Sequence, residues 1–177
     1  MKQKIYVKLF DGAEPLEIKE KGDWIDLKTR VEVETKCPSA SMLTRSKIEG
    51  LPSTRRVEFE YHMIPLGVAM KLPKGMEAHV LPRSSTFGKW GLMLVNSQGI
   101  IDNSYSGNND EWKFPAISFV SKDIPAGTAI AQFRLMPSRK ATFWQKLKWF
   151  ISSEVEIVYV DKLDGVDRGG FGSTGDK

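Results

Sequence analysis

Ile5-Tyr6-Val7-Lys8-Leu9 places apolar side chains at every second residue, the spacing of a strand with one buried face. The same rhythm returns at Val31-Glu32-Val33-Glu34, at Val57-Glu58-Phe59-Glu60-Tyr61 and at Glu154-Val155-Glu156-Ile157-Val158-Tyr159. Turn signals recur between these runs at Asp11-Gly12, Gly50, Pro65, Pro73-Lys74-Gly75, Gly88, Gly91, Gly107-Asn108-Asn109 and Pro125-Ala126-Gly127. Many short strands separated by frequent Gly and Pro turns indicate an all-β barrel or sandwich.

The 177 residues suit one domain with a core of its own. A composition 41% hydrophobic and 27% charged excludes wholesale disorder. The net charge of +4 is compatible with anionic ligands but too small to imply nucleic-acid binding by itself. A single cysteine, Cys37, excludes an intramolecular disulfide and a cysteine-rich zinc site, so a reducing, cytoplasmic setting is the default expectation. His62 and His79 are not at ligand spacing, and structural roles are expected for both. No apolar run is long enough to cross a membrane, and the charged N-terminus does not read as a secretion signal.

Two segments break the strand rhythm. Residues 37–56 are polar, basic and rich in Ser, Thr and Pro, the mark of a long loop inserted between strands. It reads either as a surface insertion without function or as a contact for a regulatory protein or nucleic acid. Residues 142–151 carry six large apolar side chains, and Phe143, Leu147 and Phe150 or Ile151 share one face at helical spacing. A short amphipathic helix packed on the barrel is expected there, with a docking face for a partner or a membrane surface as the sharper alternative.

From about Val166 the chain turns glycine-rich, which reads as a flexible terminus; yet Arg168, Ser173, Thr174 and bare backbone N–H groups are also what a phosphate chain needs. Leu81-Pro82-Arg83-Ser84-Ser85-Thr86 sets a guanidinium beside three hydroxyls just after the strand-like Ala78-His79-Val80. Alone that is a weak phosphate-site signal. About ten residues later, Asn96 to Gly107 form a hairpin-like stretch bracketed by glycines that fixes an amide, a carboxylate and a phenol at set offsets. A turn-forming Asp is the plainer alternative for Asp102 in it.

These residues resemble the homotrimeric dUTP diphosphatases (dUTPases). The resemblance is carried by Asn96, Gly99 to Asp102, Tyr105 and Gly107, by Pro82-Arg83-Ser84-Ser85 before them, and by Gly127 with Ile130-Ala131-Gln132 and the Gly-Phe-Gly-Ser-Thr-Gly tail after them. Gly22-Asp23-Trp24-Ile25-Asp26-Leu27 and Pro65-Leu66-Gly67-Val68-Ala69-Met70 are similar to the subgroup of Gram-positive bacteria and their temperate phages.

The resemblance implies a distorted jelly-roll β-barrel over residues 1–165, a closing lid over 166–177, and a homotrimer with shared active sites, in the cytoplasm of a bacterium or a phage-infected host; no membrane partner is expected, since no apolar run is long enough to span one. It implies hydrolysis of dUTP to dUMP and pyrophosphate by water attack on the α-phosphorus, which limits uracil in DNA and supplies dUMP for dTMP synthesis. Asp102 would be the general base. Tyr105 would lie beneath the deoxyribose and exclude a 2′-hydroxyl, while Asn96 and backbone groups of Gly99 and Ile101 would read uracil. Arg83, Ser84, Ser85 and Gln132 would hold the phosphates, with Mg²⁺ bridging phosphate oxygens and Asp26 reaching it only through water. From the tail, Arg168 would pair with the γ-phosphate, Phe171 and Gly172 would close over the base, and Ser173 and Thr174 would add phosphate contacts.

The chain departs from the family pattern at Thr128-Ala129, where the fourth motif commonly has Asp-Arg, and at Trp24-Ile25. The tail also has fewer residues than usual between Arg168 and Phe171. A dCTP deaminase on the same fold is the nearest rival, and a phage-type nucleotide-sensing regulator with retained hydrolysis is another.

Overall fold

The computed structural model describes residues 2–18, 23–40, 57–152 and 154–170, so the tail from Phe171 onward and most of the 37–56 insertion lie outside the described residues. The described chain forms β1 (Gln3–Leu9), β2 (Ile25–Lys28), β3 (Val33–Thr35), β4 (Ser39–Ala40), β5 (Val57–Glu58), β6 (Tyr61–Pro65), β7 (Val68–Lys71), β8 (Met76–Pro82), α1 (Thr86–Trp90), β9 (Leu92–Leu94), β10 (Gly99–Ile101), β11 (Lys113–Ser118), β12 (Lys122–Ile124), β13 (Ala129–Pro137), α2 (Phe143–Ile151) and β14 (Val155–Tyr159).

The all-β expectation holds. The strands divide into five sheets around one core rather than into one continuous hydrogen-bonded barrel: β14-β1-β7, β10-β8-β13-β2, β6-β11-β9, β12-β3 and β4-β5. Alternation decides what is buried. In β1 the side chains of Ile5 and Val7 point inward while Lys4 and Tyr6 are exposed, and in β8 Met76, Ala78 and Val80 do the same. Trp112 meets Phe133 edge to face at 5.2 Å in the centre of the core.

Several local expectations are corrected. The run Val57–Tyr61 is not one strand; it breaks at Phe59-Glu60, where Phe59 packs edge to face on Phe119 and the Glu60 carboxylate accepts from the Lys36 N–H. Pro65 ends β6 rather than forming a turn, and Gly88 lies inside α1. The 96–107 stretch is not a hairpin of β9 with β10: β9 pairs with β11 and β10 with β8, so the turn between them passes from one sheet to another.

The helix at 143–151 forms as expected, started by a reciprocal cap in which Thr142 Oγ1 accepts from the Gln145 N–H and Gln145 Oε1 accepts from the Thr142 N–H. The face turned to the barrel is not the expected one. Trp149 packs against the core and Gln145 fills the space above Gly75, whereas Phe143 and Phe150 are exposed. Gln145 and Trp149 lie opposite the apolar arc, so seating them on the barrel turns the arc itself outward.

Candidate active site

The central sheet places the polar candidates at two locations. At the first, β10 runs antiparallel to β8 with Gly99 opposite Val80, and the close approach depends on glycine because a Cβ there would press on Val80. The strand ends at Asp102, and Tyr105 follows after a tight turn closed by the Tyr105 N–H on the Asp102 carbonyl. Asn96, Gly99, Ile101, Asp102, Tyr105 and Arg168 then line one cavity of about 270 Å³. Tyr105 stands half-buried, its hydroxyl donating to the Glu111 carbonyl at 3.1 Å. Its pKa is raised by burial first and then by the nearby charges of Asp110 and Glu111. Trp112 lines the same cavity, and its buried indole N–H has no acceptor among the described residues.

Asp102 is exposed at the mouth of this cavity. Arg168 Nη1 donates to both carboxylate oxygens at 3.0 and 2.8 Å, and Ser104 donates its N–H at 2.8 Å and its hydroxyl as well. Burial works to raise the Asp102 pKa, but the hydrogen bonds from Ser104 and Arg168 outweigh it and hold the carboxyl at about 2. Asp102 is therefore a carboxylate at neutral pH.

At the second location, Arg83 leaves the end of β8 and its Nε meets Asp26 Oδ1 on β2 at 3.0 Å, reaching across β13. Gln132 on β13 lies in register with both Asp26 and Leu81, and its amide approaches the Pro82 carbonyl at 3.4 Å. Ser84 and Ser85 are exposed in the turn that enters α1, and the buried Thr86 anchors that turn by donating to the Ile130 carbonyl at 2.6 Å. None of these residues lines the cavity that holds Asp102. One chain thus brings Asn96, Gly99, Ile101, Asp102, Tyr105 and Arg168 together, and Asp26, Arg83 and Gln132 together, as separate groups. Phe171, Gly172, Ser173 and Thr174 lie outside the described residues.

Two carboxylates that sequence reasoning passed over organise the first group. Asp110, 1% exposed, accepts from the Gly107 N–H at 2.8 Å and from the N–H groups of Arg168 and Gly169 at 3.0 Å. It ties the root of the tail to the end of the Asp102–Tyr105 turn. Glu111 pairs with Arg30 at 2.8 Å and accepts the Gly67 N–H at 2.9 Å. The only sequence signal was an acidic pair after Asn108-Asn109, which reads as an ordinary polar turn. The departures from the family pattern are also accommodated. Trp24 carries the Arg134 guanidinium 4.9 Å from its ring centre, and Thr128 closes its own turn by donating to the Pro125 carbonyl at 2.6 Å.

Among the described residues no cluster of three or more His, Cys, Asp or Glu could hold a metal ion, and no helix is long and apolar enough to cross a membrane. A family model described as dUTPase matches residues 53–175. The chain is 40% identical over 158 residues to the SPbeta prophage-derived deoxyuridine 5′-triphosphate nucleotidohydrolase YosS of Bacillus subtilis (strain 168), covering 89% of this chain and 87% of that protein. The crystal structure of the dUTPase from Streptococcus mutans matches at a TM-score of 0.57 and 20% identity, over 77% of this chain and 98% of that one. A mutant dUTPase from phage phi11 of S. aureus, solved with attention to the coordination of a structural Mg(II) ion, matches at 0.56 and 16% identity, over 78% of this chain and 94% of that one. At these identities the two structures speak for the fold.

Proposed function

Since the chain belongs to the dUTPase family, we propose that it binds dUTP in the cavity bounded by Asn96, Gly99, Ile101 and Tyr105 and hydrolyses it to dUMP and pyrophosphate. The observation that carries this reading is the ionised Asp102 at the mouth of that cavity, beside an arginine that a triphosphate can recruit. Asp102 orients a water and accepts its proton while the water oxygen bonds to the α-phosphorus. The bond from that phosphorus to the bridging oxygen breaks, and pyrophosphate leaves. A carboxylate held at about 2 by Arg168 is a weak base. When the γ-phosphate draws Arg168 away, Asp102 loses one of its stabilising donors and its basicity rises toward what proton transfer needs.

Tyr105, fixed by its bond to the Glu111 carbonyl, presents a ring that packs under a deoxyribose and leaves no space for a 2′-hydroxyl. Arg83, Ser84, Ser85 and Gln132 bind the phosphates, with Arg83 already aimed by Asp26. Mg²⁺ neutralises charge on the phosphate oxygens when bound. The donor set fits an ion carried in by the substrate: Asp26, engaged by Arg83, would take part through the ion's water shell.

Because Arg83 and Gln132 do not line the cavity of their own chain, a complete site needs a second copy to supply them, as in a cyclic homotrimer. Arg168 and Gly169 are held by their own chain's Asp110, so any residue the tail lends to another subunit's site is one after Gly170. Regulation of a protein partner through the 37–56 insertion would be a separate activity.

The test is product analysis with dUTP, dTTP, dCTP and UTP in the presence of Mg²⁺. Pyrophosphate and dUMP from dUTP, well ahead of the other three, are expected; ammonia released from dCTP would overturn the assignment in favour of a deaminase. Trimer sharing is tested by mixing Asp102→Ala chains with chains ending at Gly170. With random assortment about half of the cavities and about half of the tails are intact, so roughly one quarter of the sites should work. Mixed trimers no more active than their parents would place tail and cavity on one chain.

A further inference from the structure

The outward face of α2 is an exposed apolar feature that hydrolysis does not use. Phe143, Trp144, Phe150 and Ile151 are 70%, 74%, 88% and 74% exposed. With Leu147 they fill one continuous arc of about 120° around the helix. Lys148 borders one edge of that arc and Lys146 the other, while Gln145 and Trp149 occupy the opposite side and seat the helix on the barrel. This inverts the usual surface helix, whose apolar stripe faces the core.

The charge around the arc is of one sign. Residues 138–153 include Arg139, Lys140, Lys146 and Lys148 and no acid, and Lys2, Lys4 and Lys74 line a groove with Lys148 along the barrel side of the helix. The counter-charges at the periphery are Glu154, which pairs with Lys2 at 3.7 Å, Glu156, opposite Lys4 across β1 and β14, and Glu77 and Asp102 in the groove before the helix. The surroundings therefore call for an anionic partner.

We propose that α2 lies on an anionic phospholipid bilayer, its apolar arc sunk to the boundary between headgroups and acyl chains and its lysines reaching lipid phosphates. An arc of aromatic and aliphatic groups bordered by lysines is the interfacial pattern. Leu147 and Ile151 offer a nucleic-acid base no stacking surface, so single-stranded DNA fits less well. Lysine is depleted at protein interfaces, and a second copy would bring the same positive charge to the contact. The expectation of no membrane contact came from the lack of a spanning segment, which an interfacial helix does not need. The reciprocal Thr142–Gln145 cap makes the helix preformed, so binding need not fold it.

Flotation of the full-length protein with phosphatidylcholine vesicles, with and without phosphatidylglycerol, is the test. Binding to the anionic vesicles, weaker at high salt, is expected. Phe143→Ser with Phe150→Ser should lower the partition coefficient at least about tenfold. Lys146→Gln and Lys148→Gln should each lower it about fivefold on anionic vesicles and little on neutral ones. Circular dichroism and the thermal midpoint confirm that each variant is folded. Any of three results would overturn the proposal: no flotation at millimolar anionic lipid, flotation unaffected by the Phe variants, or an elution volume that the Phe variants shift, which would place the face between copies of the chain. Capture of oligo(dT) in place of vesicles, lost in the Phe variants, would overturn it in favour of single-stranded DNA.

Discussion

Asp102 and Asp26 each accept from one arginine at about 3 Å, yet the two pairs differ in what holds them. Arg83, just past the end of β8, and Asp26 on β2 stand on either side of β13, and the Asp26 side chain is only 13% exposed. Arg168 and Asp102 sit on two irregular segments 66 residues apart in sequence, and the Asp102 side chain is 53% exposed. A pair open to water contributes little to stability and yields readily to a competing anion. The sheet-borne pair instead fixes where a cation stands before any ligand arrives. One arginine is positioned, and the other is available for exchange.

The comparison is broken most severely at the base. Asp102→Asn should keep nucleotide binding and lose about 10²- to 10⁴-fold in kcat; near-normal turnover of the purified variant would remove Asp102 from the mechanism. Next come the two arginines. Arg83→Ala should raise KM for dUTP by about ten- to a hundredfold, the cost of one charge-assisted phosphate contact. Arg168→Ala should have a smaller effect on KM, because its loss also frees Asp102; steady-state kinetics showing the reverse order would mean that the exchangeable pair does the positioning. Tyr105→Ala should narrow the ratio of kcat/KM between dUTP and UTP by about tenfold, and an unchanged ratio would locate sugar discrimination elsewhere.

The smallest effect is on stability. The folded-state pKa of Asp102 is lowered from 3.8 to about 2, so its stabilising contribution is fully present above pH about 4 and is lost as the pH falls through about 2. Asp102→Asn should therefore flatten the acid limb of the unfolding midpoint between those values. A limb identical to that of the parent protein would mean that the Arg168 contact does not persist in solution.

Strands were the most legible part of the sequence because period-two alternation is a local property: β1 and β14 lie where it places them. What alternation cannot show is pairing. The 96–107 stretch looked like a hairpin because glycines bracket it, but the partner of β10 is β8, and α1 and β9 lie between them in the chain. The resemblance singled out Asn96, Asp102 and Tyr105, and the fold brings them to one cavity. Asp110 was not, since a buried carboxylate that gathers three backbone N–H groups has the same local sequence as a solvated turn. In α2, helical spacing correctly gathered the apolar residues onto one arc, but which side of a helix meets the barrel depends on what the barrel offers. Gly75 offers a hollow that the Gln145 amide fills, and no spacing rule encodes that.

Gly107 and Gly165 form a parallel bridge so close that a Cβ on Gly107 would run into Asp167 and one on Gly165 into Ser106. Together with Asp110 this stitches the turn after Tyr105 to the start of the tail. The amides of Gly107, Arg168 and Gly169 all donate to the Asp110 carboxylate, so withdrawal of that one side chain releases all three together. In hydrogen–deuterium exchange these three positions should open as a single unit, at a rate set by the least stable of their shared contacts. A chain that replaced either glycine would loosen the nucleotide cavity and the tail in the same event.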